Sequence, residues 1–330
     1  MQNFRKYDLK KIRSYDCPEL HDSIYIGLKN EINSCMMCRG QFDYKNLQID
    51  HIDSVNKENA CEKNRKIIEH QNTILKRMYL GDVPEFCKGC YHLRVKNNDI
   101  PYQCSNKLKY ISLCGAKTCN LKCKHCFFTQ DNSGIENTDV IQIQKFIETF
   151  KRQGLLDSLK SIRLANGEPS IIKEDLALAD FFIRNKIKAE IFSNGVVYQE
   201  VFAKGVNLDL FRVILSPDAG SREVYCKIKG RDFFEKTWRT IKQYEDSTNS
   251  NVEVKFIIEE GNYADVDNMI SMCVKCGVRK VHLSMDVTIP ESEFKKYVGP
   301  LNRFVELCRL NSIELLSIYS LVPAKLIKND

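Results

Sequence analysis

Three cysteines stand close together in mid-chain, Cys119, Cys123 and Cys126, with three residues and then two between them. Thiolate is the soft ligand that iron-sulfur clusters require, and spacing this short lets a single loop wrap three thiolates around a cubane. Three protein ligands on a four-iron cluster leave one iron open to a non-protein ligand, and an open iron is a reactive site. The competing reading is a zinc ribbon, which wants a fourth ligand and usually two paired knuckles.

Downstream, polar motifs recur at intervals. Asn166-Gly167-Glu168-Pro169 combines a glycine that permits close backbone approach with a carboxylate able to pair with an ammonium. Ser193-Asn194-Gly195 reads by itself as a turn, and Ser216-Pro217-Asp218-Ala219-Gly220 supplies further polar side chains. Lys255 is a cation that reads at least as well as a solvent-facing lysine.

The elements that must position these residues follow from pattern. From about residue 109 short β-branched runs alternate with longer amphipathic stretches, the rhythm of βα units and a parallel sheet. Six strands are expected, at 110–113, 161–165, 189–193, 210–216, 252–258 and 281–286. Helices are expected at 139–153, 171–185, 197–204, 232–246 and 264–276, with Ile143, Phe146, Ile147 and Phe150 as a core-facing stripe. Six such units with right-handed crossovers curl into an open three-quarter barrel whose function concentrates on loops at the strands' C-terminal ends. The cysteines and the downstream motifs should therefore share one face. Residues 291–310 read as helical, with a break at Gly299-Pro300. The expected division is a cysteine-rich module over 1–108, the barrel over 109–290 and a helical extension over 291–330.

Taken in order, these motifs resemble the radical S-adenosylmethionine (SAM) superfamily over roughly residues 109–287. That family usually carries an aromatic residue just before the third cysteine, where this chain has His125, and many relatives have a further glycine where it has Asn166. The resemblance implies an α/β fold, a partial (βα)6 radical SAM barrel, and a 4Fe-4S cluster on Cys119, Cys123 and Cys126. SAM would chelate the open iron, and its reductive cleavage to a 5′-deoxyadenosyl radical would abstract hydrogen from a substrate. By the same resemblance Gly167, Glu168 and Pro169 hold the SAM amino group, while Ser193 and Asn194 lie near its ribose and carboxylate. Ser216 and Asp218 would reach ribose hydroxyls or substrate, His125 and Lys255 complete the SAM-binding set, and the segment 222–230 contributes packing. An oxidoreductase of this kind needs a reductant such as flavodoxin or ferredoxin. Fold does not choose the substrate, and both a peptide and a sugar or other small molecule fit.

The front of the chain carries two CxxC pairs, Cys35 with Cys38 and Cys87 with Cys90. The segment 24–90, with a long helix near 63–79, resembles the SPASM or twitch auxiliary-cluster domains of the same superfamily, although those normally lie at the C-terminus. A second 4Fe-4S cluster, structural zinc and unligated buried thiols are the three readings, with Cys17, Cys61 and Cys104 as substitute ligands. A different class of function is an HNH-like nuclease or metal-dependent nucleic-acid binder, since Cys35 and Cys38 are followed by Asp50-His51-Ile52 and Asn59-Ala60-Cys61; His51 would activate water there. Cys61 lacks a partner cysteine three residues on, which counts against it. Cys114, Cys226, Cys273, Cys276 and Cys308 read as packed thiols.

Composition bounds the rest. The chain has 330 residues, 43% hydrophobic and 28% charged, well away from the composition of disordered chains. A net charge of +7 is too mild to indicate nucleic acid, and no apolar run is long enough for a bilayer span. Fifteen cysteines without an export signal point to a reducing, cytoplasmic setting and to metal chemistry.

Overall fold

The computed structural model describes residues 14–27, 30–35, 48–88, 93–96, 107–114, 118–124, 126, 139–165, 167–249, 251–286 and 289–318. They divide into two units, Met1–Ser112 with Ile141–Lys160, and Leu113–Val140 with Ser161–Asp330.

The first unit runs through β1 (Ser14–Asp16), α1 (Pro18–Asp22), β2 (Ser23–Ile26), β3 (Glu31–Asn33), β4 (Gln48–His51), α2 (Ala60–Tyr79), β5 (Arg94–Lys96), β6 (Tyr110–Cys114) and α3 (Val140–Arg152). β1 pairs antiparallel with β5, and β2, β3 and β4 form an antiparallel meander with β6 beside β2. α2 buries Ile67, Gln71, Ile74, Leu75 and Met78, the spacing of a single helical face. The polar member of that face is satisfied, because Gln71 Nε2 donates to the Ser23 carbonyl at 2.6 Å. Ile74, Leu75 and Met78 close a small core with Cys17 and Leu20, against which half-buried Cys35 and Cys87 pack. In α3 the expected stripe of Ile143, Phe146, Ile147 and Phe150 is buried.

The second unit continues with β7 (Ser161–Ala165), α4 (Lys173–Arg184), β8 (Ala189–Ser193), α5 (Glu200–Asn207), β9 (Phe211–Leu215), α6 (Arg222–Lys229), α7 (Phe234–Ser247), β10 (Glu253–Ile258), α8 (Val266–Cys276), β11 (Lys280–Met285), α9 (Val298–Leu310) and β12 (Glu314–Ile318). β7 to β12 lie side by side in chain order, each neighbouring pair parallel. Side chains alternate along them as the pleat requires. In β8, Ala189, Ile191 and Ser193 are buried, while Glu190 and Phe192 point to the other, partly open face. The helices cover the first of these faces. Phe256 of β10 stacks on Phe304 of α9 with ring centroids 5.4 Å apart, and a Cβ on Gly205 of α5 would fall 2.0 Å from the Phe211 ring.

All six expected strands are present, as β6 to β11, with ends shifted by at most two residues. The separate helical extension over 291–330 is corrected. Within it a 3-10 turn, Glu291–Tyr297, leads into α9, and β12 then adds a further parallel strand beside β11 through Lys280↔Glu314 and Val281↔Leu315. The expected break at Gly299-Pro300 also moves: both residues lie in the first turn of α9, where a proline forfeits only an amide that has no helical partner. Among the described residues no helix is long and apolar enough to cross a membrane.

Candidate functional site

In the second unit the loops that follow β7, β8 and β9 converge on the cysteine segment. After β7 the chain turns at Gly167, whose φ of +57° is in the region open to glycine, and buries Glu168 and Pro169. The Glu168 amide donates to the carbonyl of Thr118, the residue before Cys119, at 2.8 Å. Its carboxylate accepts from Ser170 N (3.0 Å), Ser193 Oγ (2.7 Å) and Asn194 N (2.7 Å). One buried side chain thus ties the ends of β7 and β8 together, directly behind the first cysteine. Burial pushes the Glu168 pKa up against those donors.

Asn194 reaches on from there. Its Oδ1 accepts from Val196 N at 2.9 Å, the local turn that this residue type favours, which leaves Nδ2 aimed at the loop. Nδ2 donates to Asn120 Oδ1 at 2.7 Å and contacts Cys119 Sγ at 3.7 Å, and Leu121 N also points at that sulfur, at 3.4 Å. Leu121 itself is buried and plugs the loop into the unit. Cys123 is held on both sides: the amides of Lys122 and Lys124 donate to the carbonyls of Lys229 and Ile228 at 3.0 and 2.9 Å, the last carbonyls of α6. Gly230 caps that helix at φ +67°, and a Cβ there would sit 2.5 Å from the Lys122 carbonyl oxygen. The Cys126 amide returns to Cys123 O at 3.2 Å.

Burial pushes the Cys119 thiol up to about 11, with the Glu168 and Cys123 charges adding to the rise and the Leu121 and Asn194 hydrogen bonds opposing it. Burial also raises Cys123, which feels both Lys229 and Cys126. Burial thus keeps Cys119 and Cys123 from ionising unaided. Such thiols lose their protons to a bound metal, and donors aimed at a sulfur stabilise the resulting thiolate. Among the described residues no group of three or more His, Cys, Asp or Glu side chains is placed to hold one metal ion. What the donor set fits is a larger group of irons, with Cys119, Cys123 and Cys126 as its ligands.

The structure gives the other expected site residues more varied places. Ser216 is half-buried and its amide donates to the Ser193 carbonyl at 2.9 Å. Asp218 has a left-handed φ of +53°, which folds its side chain beneath the strand ends rather than outward. There Oδ1 accepts from Ile257 N at 2.9 Å and Oδ2 from Lys229 Nζ at 2.5 Å. Half-buried Lys255 has its pKa lowered by burial, while the Asp218 charge opposes that fall. Ala219-Gly220 serves packing: a Cβ on Gly220 would lie 2.0 Å from Met269 N, and the Gly220 and Ser221 amides donate to Asp265 Oδ2. His125 and Asn166 lie outside the described residues, as do Cys38, Cys90 and Cys104. Of the front cysteines, Cys61 is exposed and Cys17 buried. Asp50 is taken up by Lys63 Nζ at 2.5 Å and by Ser54, and no metal-holding group of described residues gathers around the exposed His51.

Sequence reasoning missed Asn120, Thr118, Asn262 and the role of Lys229. Asn262 Nδ2 bridges the carbonyls of Asp218 and Ile257 at 2.9 and 2.8 Å. None carries a motif of its own. The only sign of Asn120 was its place inside the cysteine string.

Residues 115–258 match the sequence model of the Radical SAM superfamily. A probable GTP 3′,8-cyclase from Sulfurisphaera tokodaii is 24% identical over 166 residues, covering 50% of this chain and 52% of the relative. One from Saccharolobus islandicus is 24% identical over 169 residues, covering 50% and 53%. The chain thus spans about half the length of the curated relatives it matches. Among solved structures, SuiB of Streptococcus suis bound to S-adenosylmethionine has a TM-score of 0.53 at 12% identity, covering 77% of this chain and 55% of that one. Native anSMEcpe with bound AdoMet has a TM-score of 0.50 at 16% identity, covering 63% of each chain. These structures share the fold, and the family match does not extend to the cysteine-rich front module. Residues 115–258, with their three-cysteine loop at the C-terminal ends of parallel strands, are thus a radical SAM domain.

Proposed function

We propose that this chain is a radical SAM enzyme whose cluster is held by Cys119, Cys123 and Cys126 and which takes hydrogen from a peptide or small-molecule substrate. The observation that carries the reading is the bracing of Cys119 by Asn194 and, behind it, Glu168, at the ends of two parallel strands. A 4Fe-4S cluster with SAM, when bound, supplies one-electron cleavage of the sulfonium and through it hydrogen abstraction.

The chain's own residues do the rest. Glu168 and Asp218 have their carboxylates engaged by protein donors, so their part is to fix the strand ends rather than to meet SAM or ribose directly. Direct contact with SAM then falls to the backbone at Gly167, to Ser193-Asn194, to Ser216 and to Lys255, with His125 beside the third cysteine. Lys255 lies on the sheet face that the helices leave uncovered and offers a cation to a carboxylate or phosphate. That face also shapes the substrate. The curated relatives are named as GTP cyclases and one solved SuiB structure holds a precursor peptide, which keeps both substrate classes in view. The electron comes from a flavodoxin- or ferredoxin-type reductant. The front cysteines hold a second cluster, zinc or no metal, and the first measurement separates these.

Iron and zinc content with electron paramagnetic resonance, on anaerobically reconstituted protein, tests the reading. The wild type should hold about four irons and show a signal that SAM perturbs, and the Cys119, Cys123 and Cys126 triple Ala variant should hold none. About eight irons falling to about four would add a cluster in the front module. Absence of iron and of any SAM-perturbed signal in the wild type would overturn the proposal.

A further inference from the structure

Cys123 sits against a buried pair of opposite charges that the reading above does not use. The side chains of Lys229 and Asp218 are 3% and 1% exposed, and their Nζ–Oδ2 distance is 2.5 Å. The backbone of the same lysine accepts from Lys122 N, and that of Ile228 from Lys124 N, so Cys123 is clamped between two hydrogen bonds to the turn of helix that carries Lys229. The absent Cβ of Gly230 permits that approach. Asp218 is anchored independently by Ile257 N and, through its carbonyl, by Asn262 Nδ2. Neither charge is free to swing away.

A buried ion pair is a poor device for stability. Replacing both partners by well-packed neutral groups is often neutral or stabilising, whereas removing one partner alone is costly. Burial also withholds both charges from screening by salt, so each acts at nearly full strength on its neighbours. The neighbour that matters is Cys123, on which Lys229 acts to favour the thiolate and Asp218 to oppose it.

We propose that the Lys229–Asp218 pair is a positioning and potential-setting device: its fixed charges set how readily a cluster bound through Cys123 accepts an electron. This rests on the cluster reading above. Lys229 draws electron density toward the cluster and raises its reduction potential, while Asp218 lowers it. The pair holds the two effects in balance, and neither residue is a ligand.

Redox titration of the reconstituted protein, followed by electron paramagnetic resonance, tests this. Lys229→Met should make the cluster harder to reduce, with the reduced-to-oxidised ratio at a fixed potential falling about tenfold, or about 59 mV for a one-electron couple. Asp218→Asn should move it by a similar amount in the opposite direction. The double variant K229M/D218N, which removes both charges and leaves no bare ion, should return to near the wild-type value, and Lys229→Arg should stay there. Circular dichroism and iron content establish that each variant is folded and loaded, and Lys229→Gln, neutral but still able to donate to Asp218, serves if Lys229→Met is not. Folded, loaded single variants, Lys229→Met and Asp218→Asn, whose potentials do not move or move the same way would overturn the proposal by reducing the pair to scaffold. A wild type that binds no iron would overturn the cluster reading itself, and this inference with it.

Discussion

Glu168 and Glu253 are both buried carboxylates of the second unit, set at opposite ends of its parallel strands. Glu168 follows the C-terminal end of β7, and Glu253 opens β10 at the other end of the sheet. The donors to Glu168 are all neutral: two backbone amides and the Ser193 hydroxyl, and burial raises its pKa. Burial would raise Glu253 too, but His282 Nε2 at 2.6 Å and the Arg212 guanidinium at 2.8 and 2.9 Å hold it down at about 2. Arg212 passes the contact on to Glu190, and Glu190 to Arg163, making a ladder of alternating charge across β7 to β11. Neutral donors aim a carboxylate without neutralising it, whereas cations do both. At the cysteine end the fold accepts a strained charge in exchange for fixed loop geometry. At the far end the charges cancel and hold the strands together.

The sharpest way to break this contrast is Glu168→Ala. It strands Ser193 Oγ, Asn194 N and Ser170 N in the interior and releases the turn that aims Asn194 at Cys119. Denaturant unfolding should register a loss of about 3 kcal/mol, and iron retention after reconstitution should fall with it. A loss under about 1 kcal/mol with full iron would mean that the strand ends hold their shape without the carboxylate.

Next in size is a pair of Glu→Gln variants whose costs should vary with pH in opposite senses. The folded pKa of Glu253 is depressed, so its contribution is present above the ordinary 4.5 and is lost as pH falls through about 2. The cost of Glu253→Gln should therefore be about 2 kcal/mol at neutral pH and shrink in acid. The folded pKa of Glu168 is raised, so its contribution is complete below the ordinary 4.5 and declines as pH rises. The cost of Glu168→Gln should then be largest in acid and shrink toward neutrality. Unfolding curves between about pH 3 and about pH 8 check both slopes. Two slopes of the same sign would show that donor charge is not what separates the two sites.

The same contrast explains how much of the molecule was legible in its sequence. Strands β7 to β11 and the stripe in α3 follow from hydrophobic period, because burial of one face must be written into the chain. The triad Cys119, Cys123 and Cys126 is legible because residue type and short spacing are by themselves the signal of a cluster-binding loop. β12 was not, since Glu-Leu-Leu-Ser-Ile has no clean alternation and becomes a strand only beside β11. Nor was the turning inward of Asp218 and Glu168. Their motifs announce a carboxylate, but whether it faces a ligand or a backbone amide depends on a left-handed φ and on donors from strands far apart in sequence. Asn120 and Lys229 were hidden for the same reason, having meaning only through what the fold places against them.

The smallest effect refines the claim about unneutralised charge. Asp175 lies in the first turn of α4, where the helix dipole favours an anion, yet burial pushes its pKa up to about 7, with Glu174 and Glu168 adding to the rise. Its folded pKa is raised, so the stability it contributes is complete below 3.8 and is lost as pH rises through about 7. Asp175→Asn should accordingly stabilise the protein at about pH 8, with a net gain of about 1 kcal/mol once the lost dipole attraction is set against the relieved burial. The gain should shrink steadily as pH falls and vanish only below about 3.8, where the carboxyl is protonated in the folded and unfolded states alike. Part of the gain comes from the Glu168 charge, and it should diminish when the same substitution is made in the Glu168→Gln background. An undiminished gain in that double-mutant cycle would mean that Glu168 is effectively neutral at the working pH. The carboxyl behind Cys119 would then bear a proton, and the contrast with Glu253 would be one of protonation state rather than of donor type.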